Sequence, residues 1–221
     1  MKSLALSLAI LAAISLSPAS QAHEGQDHAK SNTVAAAATT INTKQAATRA
    51  MLRDLWVEHV FWIRNYVTAS AAGNQSQSKV ATDQVVANAK AISGAIAGFY
   101  GQPAGDRMFV LLAGHWGAVK DYSDATFVKK DAKAQQDATT RLVGNAKEIA
   151  AFLAKANPNL PESTLVGLLS AHGAHHIAQI QQFAKGDYAA EAKTWEGMRT
   201  HMFTIADALA DALAKQFPAK F

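Results

Sequence analysis

The chain has 221 residues, 21 Lys+Arg against 17 Asp+Glu, eight histidines and no cysteine. Without cysteine there are no disulfides, no thiol catalysis, no thiolate metal ligands and no haem attached through C-x-x-C-H. A net charge of +4 with no Lys/Arg block offers no footprint for nucleic acid.

The N-terminus reads as a secretory signal. Lys2 supplies a positive start, Leu4 to Leu16 an apolar run, Pro18 a break, and Ser20-Gln21-Ala22 the small residues of a cleavage site. The run is shorter than the roughly 20 residues that span a bilayer. We therefore expect a signal peptide over residues 1–22, export to the periplasm or cell exterior, and no membrane span. Residues 23–45 are polar and low in complexity, which predicts a disordered lead-in. Cleavage after Ala22 would expose His23 with a free amine, and amine and imidazole together with His28 could chelate copper. The plainer reading is a solubilising leader.

Residues 46–221 carry a helical pattern throughout. Apolar spacing predicts six helices, roughly 47–72, 79–100, 105–124, 130–156, 162–184 and 187–216. The breaks have local causes: Gly73-Asn74, Gly101-Gln102-Pro103, Asn157 through Pro161, and Gly186-Asp187. No stretch alternates with the period of two that a strand requires. The expected fold is all-α, an antiparallel bundle of six helices built as three repeated αα-hairpins.

The repeat rests on three histidines. His59, His115 and His172 each follow apolar residues at −7, −4 and −3: Leu52, Leu55, Trp56; Met108, Leu111, Leu112; Leu165, Leu168, Leu169. Those offsets form one helical stripe, so each histidine falls in the middle of a buried face. The intervening helices repeat as well, with Asn88, Asn145 and His201 each followed by apolar residues four and eight positions later. A period in this range marks bundled supersecondary units. Each histidine lies about half a helix before a turn and its partner about half a helix after it, so the two reach similar heights. Three hairpins packed side by side would bring the histidines to one level of a common core.

Two chemistries are compatible with that level. Imidazole is the commonest metal ligand, and helix bundles build sites from side chains on facing helices. His59, His115, His172 and His201 are then candidate ligands. His176 joins them because it stands at i, i+4 from His172, a spacing that lets two imidazoles share an ion. Of His175 and His176, at least one must face solvent. Cu, Zn or Fe would suit such a set, and haem held by paired histidines is a weaker variant. Alternatively the histidines are core residues whose ring nitrogens are hydrogen-bonded by Asn88 and Asn145. The protein would then be a metal-free helical module for a small molecule or a partner protein. Glu58 beside His59 is a supporting candidate, read with Arg64 as a rim salt bridge, and Glu148 is similar. No Glu-x-x-His pair of the di-iron carboxylate kind occurs. No nucleophile–base set, phosphate loop or paired-acid motif stands out, so the reading leans away from an enzyme. Trp56, Trp62, Trp116 and Trp195 read as core or groove residues.

The segment Leu55-Trp56-Val57-Glu58-His59-Val60-Phe61-Trp62-Ile63-Arg64 resembles the L-W-x-E-H-V-x-W-x-R first-helix motif of a group of small bacterial helical-bundle proteins, several of them exported. Leu111-Leu112 ahead of His115, Asn145 to Leu153, Asn157-Pro158 and His172 fall where that group has similar residues. The resemblance covers most of residues 50–210. It implies a helical bundle and points to His59, His115, Asn145 and His172. It brings no established activity with it.

Overall fold

The computed structural model describes the backbone from residue 29 to 221, and side-chain surroundings from residue 43. The signal segment, His23 and His28 lie outside the described residues. The chain divides after Ala37, and everything below concerns the unit Ala38–Phe221 except the upstream end of the first helix.

Six α-helices follow in order: α1 Ala29–Ala71, α2 Gln75–Tyr100, α3 Gln102–Asp124, α4 Ala132–Ala156, α5 Glu162–Lys185 and α6 Tyr188–Gln216. No strand occurs among the described residues. None of their helices is long and apolar enough to cross a membrane. Each helix packs on its neighbour in sequence from α2 to α6, and α3 also packs on α5, as in a bundle. Three arginines close α1 against α6. Arg53 makes a two-pronged bond to Asp207 at 2.7 and 2.6 Å, Arg49 pairs with Asp211, and Arg64 grips Glu191 with two bonds of 2.6 Å.

The boundaries arise where the sequence changes its chemistry. Asn74, Asp131 and Asp187 each accept a hydrogen bond from the backbone N–H three residues on, capping α2, α4 and α6. Gly101 links α2 to α3 at φ +86°, a conformation with little strain only for glycine. Several boundaries differ from expectation, α2 and α3 beginning four and three residues earlier, at Gln75 and Gln102. Helix α1 begins at Ala29, so residues 29–45, expected as a disordered lead-in, belong to the helix. The run Ala35 to Ala38 has the highest helix propensity available, which a reading of polarity underweights. After α3 the chain makes a π-helical turn, Ala125–Lys129, closed by Lys130 at φ +52°, and α4 starts after it. Such five-residue spacings leave no trace in apolar periodicity.

The core consists of two apolar clusters. One gathers Leu52, Trp56, Leu111, Leu112, Leu165 and Leu169 with Ile92, Ile149 and Met202, all buried. The other gathers Ile63, Tyr66, Trp116, Val119 and Ile180 with Val85 and Leu142. Trp56 and Trp116 are buried in these clusters, while Trp62 and Trp195 pack at their margins. On α1, α3 and α5 the histidines stand in the sequence between members of the first cluster and members of the second. A polar layer thus interrupts the apolar interior at one level.

Candidate metal centre

That layer contains four histidines. His59 of α1, His115 of α3, and His172 and His176 of α5 are 1–5 % exposed. One ring nitrogen from each lies within 4.8 Å of all the others. The ring centres are 5.7 Å apart for His59–His115, 5.9 Å for His59–His172 and 5.2 Å for His115–His172. His176 stands 4.5 Å from His172, 5.6 Å from His115 and 6.4 Å from His59. Imidazoles sharing a tetrahedral ion have ring centres about 5 Å apart, working from a metal–nitrogen bond of about 2.0–2.1 Å. The observed spacings bracket that value. His172 and His176 bring their Nε2 atoms to 3.2 Å, close to the ligand–ligand edge of such a tetrahedron.

The ring nitrogens are largely without protein partners. Both nitrogens of His59, Nε2 of His115 and Nδ1 of His172 are buried and make no hydrogen bond. Each such atom costs about 1–3 kcal/mol. Four of them cost about 4–12 kcal/mol, against a net stability of about 5–15 kcal/mol for a whole domain. An ion held by Nε2 of His172 and His176 would relieve two of these four, one nitrogen of His59 and Nε2 of His115, because each ring gives an ion a single nitrogen.

The expectation that Asn88 and Asn145 hydrogen-bond the imidazoles is not met. Asn88 Nδ2 donates to the Leu55 carbonyl at 3.0 Å, and Asn145 Nδ2 donates to the Leu111 carbonyl at 2.9 Å. His201 does the same through Nε2, at 2.8 Å from the Leu168 carbonyl. Leu55, Leu111 and Leu168 are the residues four before His59, His115 and His172. The polar position of each even-numbered helix therefore clamps the backbone one turn before a cluster histidine. The clamp fixes the helix that carries the ring and leaves the ring itself free. This also accounts for His201, the fifth candidate ligand, which lies outside the cluster with its ring 5.6 Å from that of His175. Of the pair at the end of the motif, His176 is buried and His175 is half-exposed.

Glu58 is exposed and accepts from Asn88 Nδ2 at 3.1 Å and Trp62 Nε1 at 3.4 Å. The rim salt bridge expected between Glu58 and Arg64 does not form. Arg64 turns instead to Glu191, which is 2 % exposed and also accepts from Gln179 Nε2 at 2.9 Å. No sequence signal marked Glu191, because a carboxylate in the first turn of a helix ordinarily faces water. Glu148 does behave as a rim residue, exposed and 3.6 Å from Arg107.

Electrostatics keep the cluster neutral. Burial pushes the His59 imidazole down to about 3, with the neighbouring His115 adding to the effect and the Asn88 side chain opposing it. Burial alone brings His115 down to about 4. His172 and His176 are held well below the ordinary histidine range, by burial first and then by their neighbouring imidazoles. Neutral imidazoles are the form that binds metals. The arrangement can therefore offer four nitrogen lone pairs to one ion at neutral pH. Compared with protein-family models, with curated proteins and with solved structures, the chain matches none, so the functional reading stands on this geometry.

Proposed function

We propose that this is an exported helical-bundle protein that holds one transition-metal ion between His59, His115, His172 and His176, as a carrier, sensor or buffer. The observation that carries the reading is the convergence of four buried imidazoles, three of which keep a ring nitrogen with no protein partner. The bundle is read as three αα-hairpins, each running up through a ligand and back down past a backbone clamp. Two features support this: the three equivalent bonds to Leu55, Leu111 and Leu168, and the order of the two apolar clusters, which reverses between α3 and α4.

The donor set narrows the metal. Four neutral nitrogens with no carboxylate suit Zn or Cu; Mg and Ca require oxygen, and the common non-haem iron site adds a carboxylate. Two ligands from one helix point at the same centre as the other two, which fits a single ion and leaves no slot for a haem plane. Four protein ligands also fill a tetrahedral ion, so the site is built for retention; catalytic zinc keeps a position open. Elemental analysis of protein isolated from the periplasm tests the reading. One equivalent of Zn or Cu, released by a chelator and absent from a His115→Ala variant, is the expected result. Protein that carries no metal and takes up none would overturn it.

The competing reading is a metal-free module for a small molecule. Its one supporting feature is a cleft of about 470 Å³ lined by Tyr66, Lys79, Lys120, Asp124 and Lys129, beside the π-helical turn. Lys120 is already committed to Asp124 at 2.5 Å, so the cleft has less free charge than its composition suggests.

A further inference from the structure

His175 and His201 are not used by the buried centre, yet they face each other at its margin. His175 precedes the ligand His176 on α5, and His201 lies on α6. Their rings are 5.6 Å apart at 51°, a separation like those within the buried cluster. The His175 ring rests on α6 at Gly197, one turn before His201, where a Cβ would meet His175 Cε1 at an ordinary contact distance of 3.5 Å. Both rings open onto a cleft of about 480 Å³ that Glu196, Lys193 and Thr200 also line.

The tautomer of His201 is fixed by its partner. A carbonyl only accepts, so Nε2 must carry the proton it gives to Leu168, and the Nδ1 lone pair is left unprotonated. An imidazole that donates one nitrogen to a backbone carbonyl and offers the other is the usual state of a metal-ligating histidine. The corresponding position in the other two repeats is asparagine, Asn88 and Asn145, whose amides make the same backbone bond. The clamp therefore does not require histidine. What histidine adds at 201 is a second nitrogen, on a ring whose centre stands 5.6 Å from that of His175.

We infer that His175 and His201 form a second, solvent-facing site for a divalent transition-metal ion, through which the ion is delivered to the buried four-histidine centre. Two imidazoles completed by water suit Zn, Cu, Ni or Co, bound more weakly than in the interior. His175 adjoins the inner ligand His176 on α5, its side chain turned about 100° around the helix, so the outer site flanks the element that carries two of the inner ligands. Delivery rests on the function proposed above; the existence of the outer site does not.

Cobalt(II) added to metal-free protein distinguishes the two, because a four-coordinate interior ion absorbs visible light far more strongly than a hydrated surface ion. Wild type should take up two equivalents by calorimetry, one of them with the intense bands. The test variant is His175→Ala with His201→Asn, which keeps the amide bond to Leu168. It should bind one equivalent, retain the intense spectrum at saturation, and load at least tenfold more slowly. A His115→Ala variant should lose the intense bands and still bind one ion, and that ion should disappear when His175→Ala and His201→Asn are added. Loading at the wild-type rate with unchanged stoichiometry in the double variant would overturn the outer site and leave the buried centre standing. If wild type binds a single ion that depends on His175 and His201 and never shows intense bands, the outer site holds and the interior reading falls. If wild type binds no cobalt at all, both fall.

Discussion

Replacing His115 by alanine separates a metal centre from a packing layer, because the two make opposite statements about where the loss will be felt. In chelator the change removes a buried ring that is 5 % exposed, which by analogy with large-to-small core changes costs about 2–5 kcal/mol. It also removes an unsatisfied ring nitrogen, which returns about 1–3 kcal/mol. The midpoints of the two ranges leave a net loss of about 1.5 kcal/mol, within a span of about −1 to 4 kcal/mol. No partner is stranded, since Asn145 is bonded to the Leu111 carbonyl. With metal at 100 Kd, wild type gains about 2.7 kcal/mol through RT ln(1 + [L]/Kd), and a three-ligand variant at the same concentration gains much less. At about 2–4 °C per kcal/mol for a domain of this size, wild type should rise by about 5–11 °C on adding Zn. Thermal melts followed by circular dichroism, in chelator and in Zn, for both proteins, give all four numbers. An equal gap between wild type and variant in the two conditions would refute the metal centre and leave only the bundle.

Four further outcomes follow from the structure. The folded-state values of His59, about 3, and His115, about 4, lie below the ordinary 6.5, so the unfolded chain binds more protons at intermediate pH. Their contribution to stability is complete above about pH 6.5 and is lost as pH falls toward 4 and then 3, at about 2.7 kcal/mol per pH unit for two protons. Urea midpoints of metal-free protein should therefore be clearly lower at pH 5 than at pH 7.5, and equal midpoints would contradict neutral burial. Arg64→Met strands the buried Glu191 carboxylate and should cost about 3–5 kcal/mol in thermal melts, with most of it recovered by adding Glu191→Leu. Gly105→Ala would place a Cβ 2.8 Å from both Ala97 Cβ and the Ser93 carbonyl of α2, costing about 1–3 kcal/mol by denaturant titration. Gly94→Ala meets nothing within 4 Å and should instead stabilise by about 0.5–1 kcal/mol.

The amino-acid pattern alone determined that the chain is helical, where most helices end, and that His59, His115 and His172 occupy buried stripes. Those are properties of one helix at a time. Apolar residues at −7, −4 and −3 fix which side of α1, α3 or α5 is buried, and Gly101 or Asp187 fixes where a helix stops, whatever lies across the interface. His176 was also within reach, since i, i+4 geometry on α5 is local.

Only tertiary structure decided what each polar group on a buried face would meet. His201 has the right height and the right chemistry, but the rotation of α6 directs its Nε2 to the Leu168 carbonyl, so it clamps α5 where His176 binds into the layer. Asn88 and Asn145 were expected to satisfy the imidazoles and instead hold the backbone beneath them, which is why the ring nitrogens are left unpaired. Arg64, expected beside Glu58, stands six residues from it on another face of α1 and pairs with Glu191 of α6, 127 residues away in sequence. The period of a helix specifies a face to within a turn. The partner of a nitrogen on that face depends on a few ångströms of helix rotation and approach, which are set by the side chains of every helix packed around it.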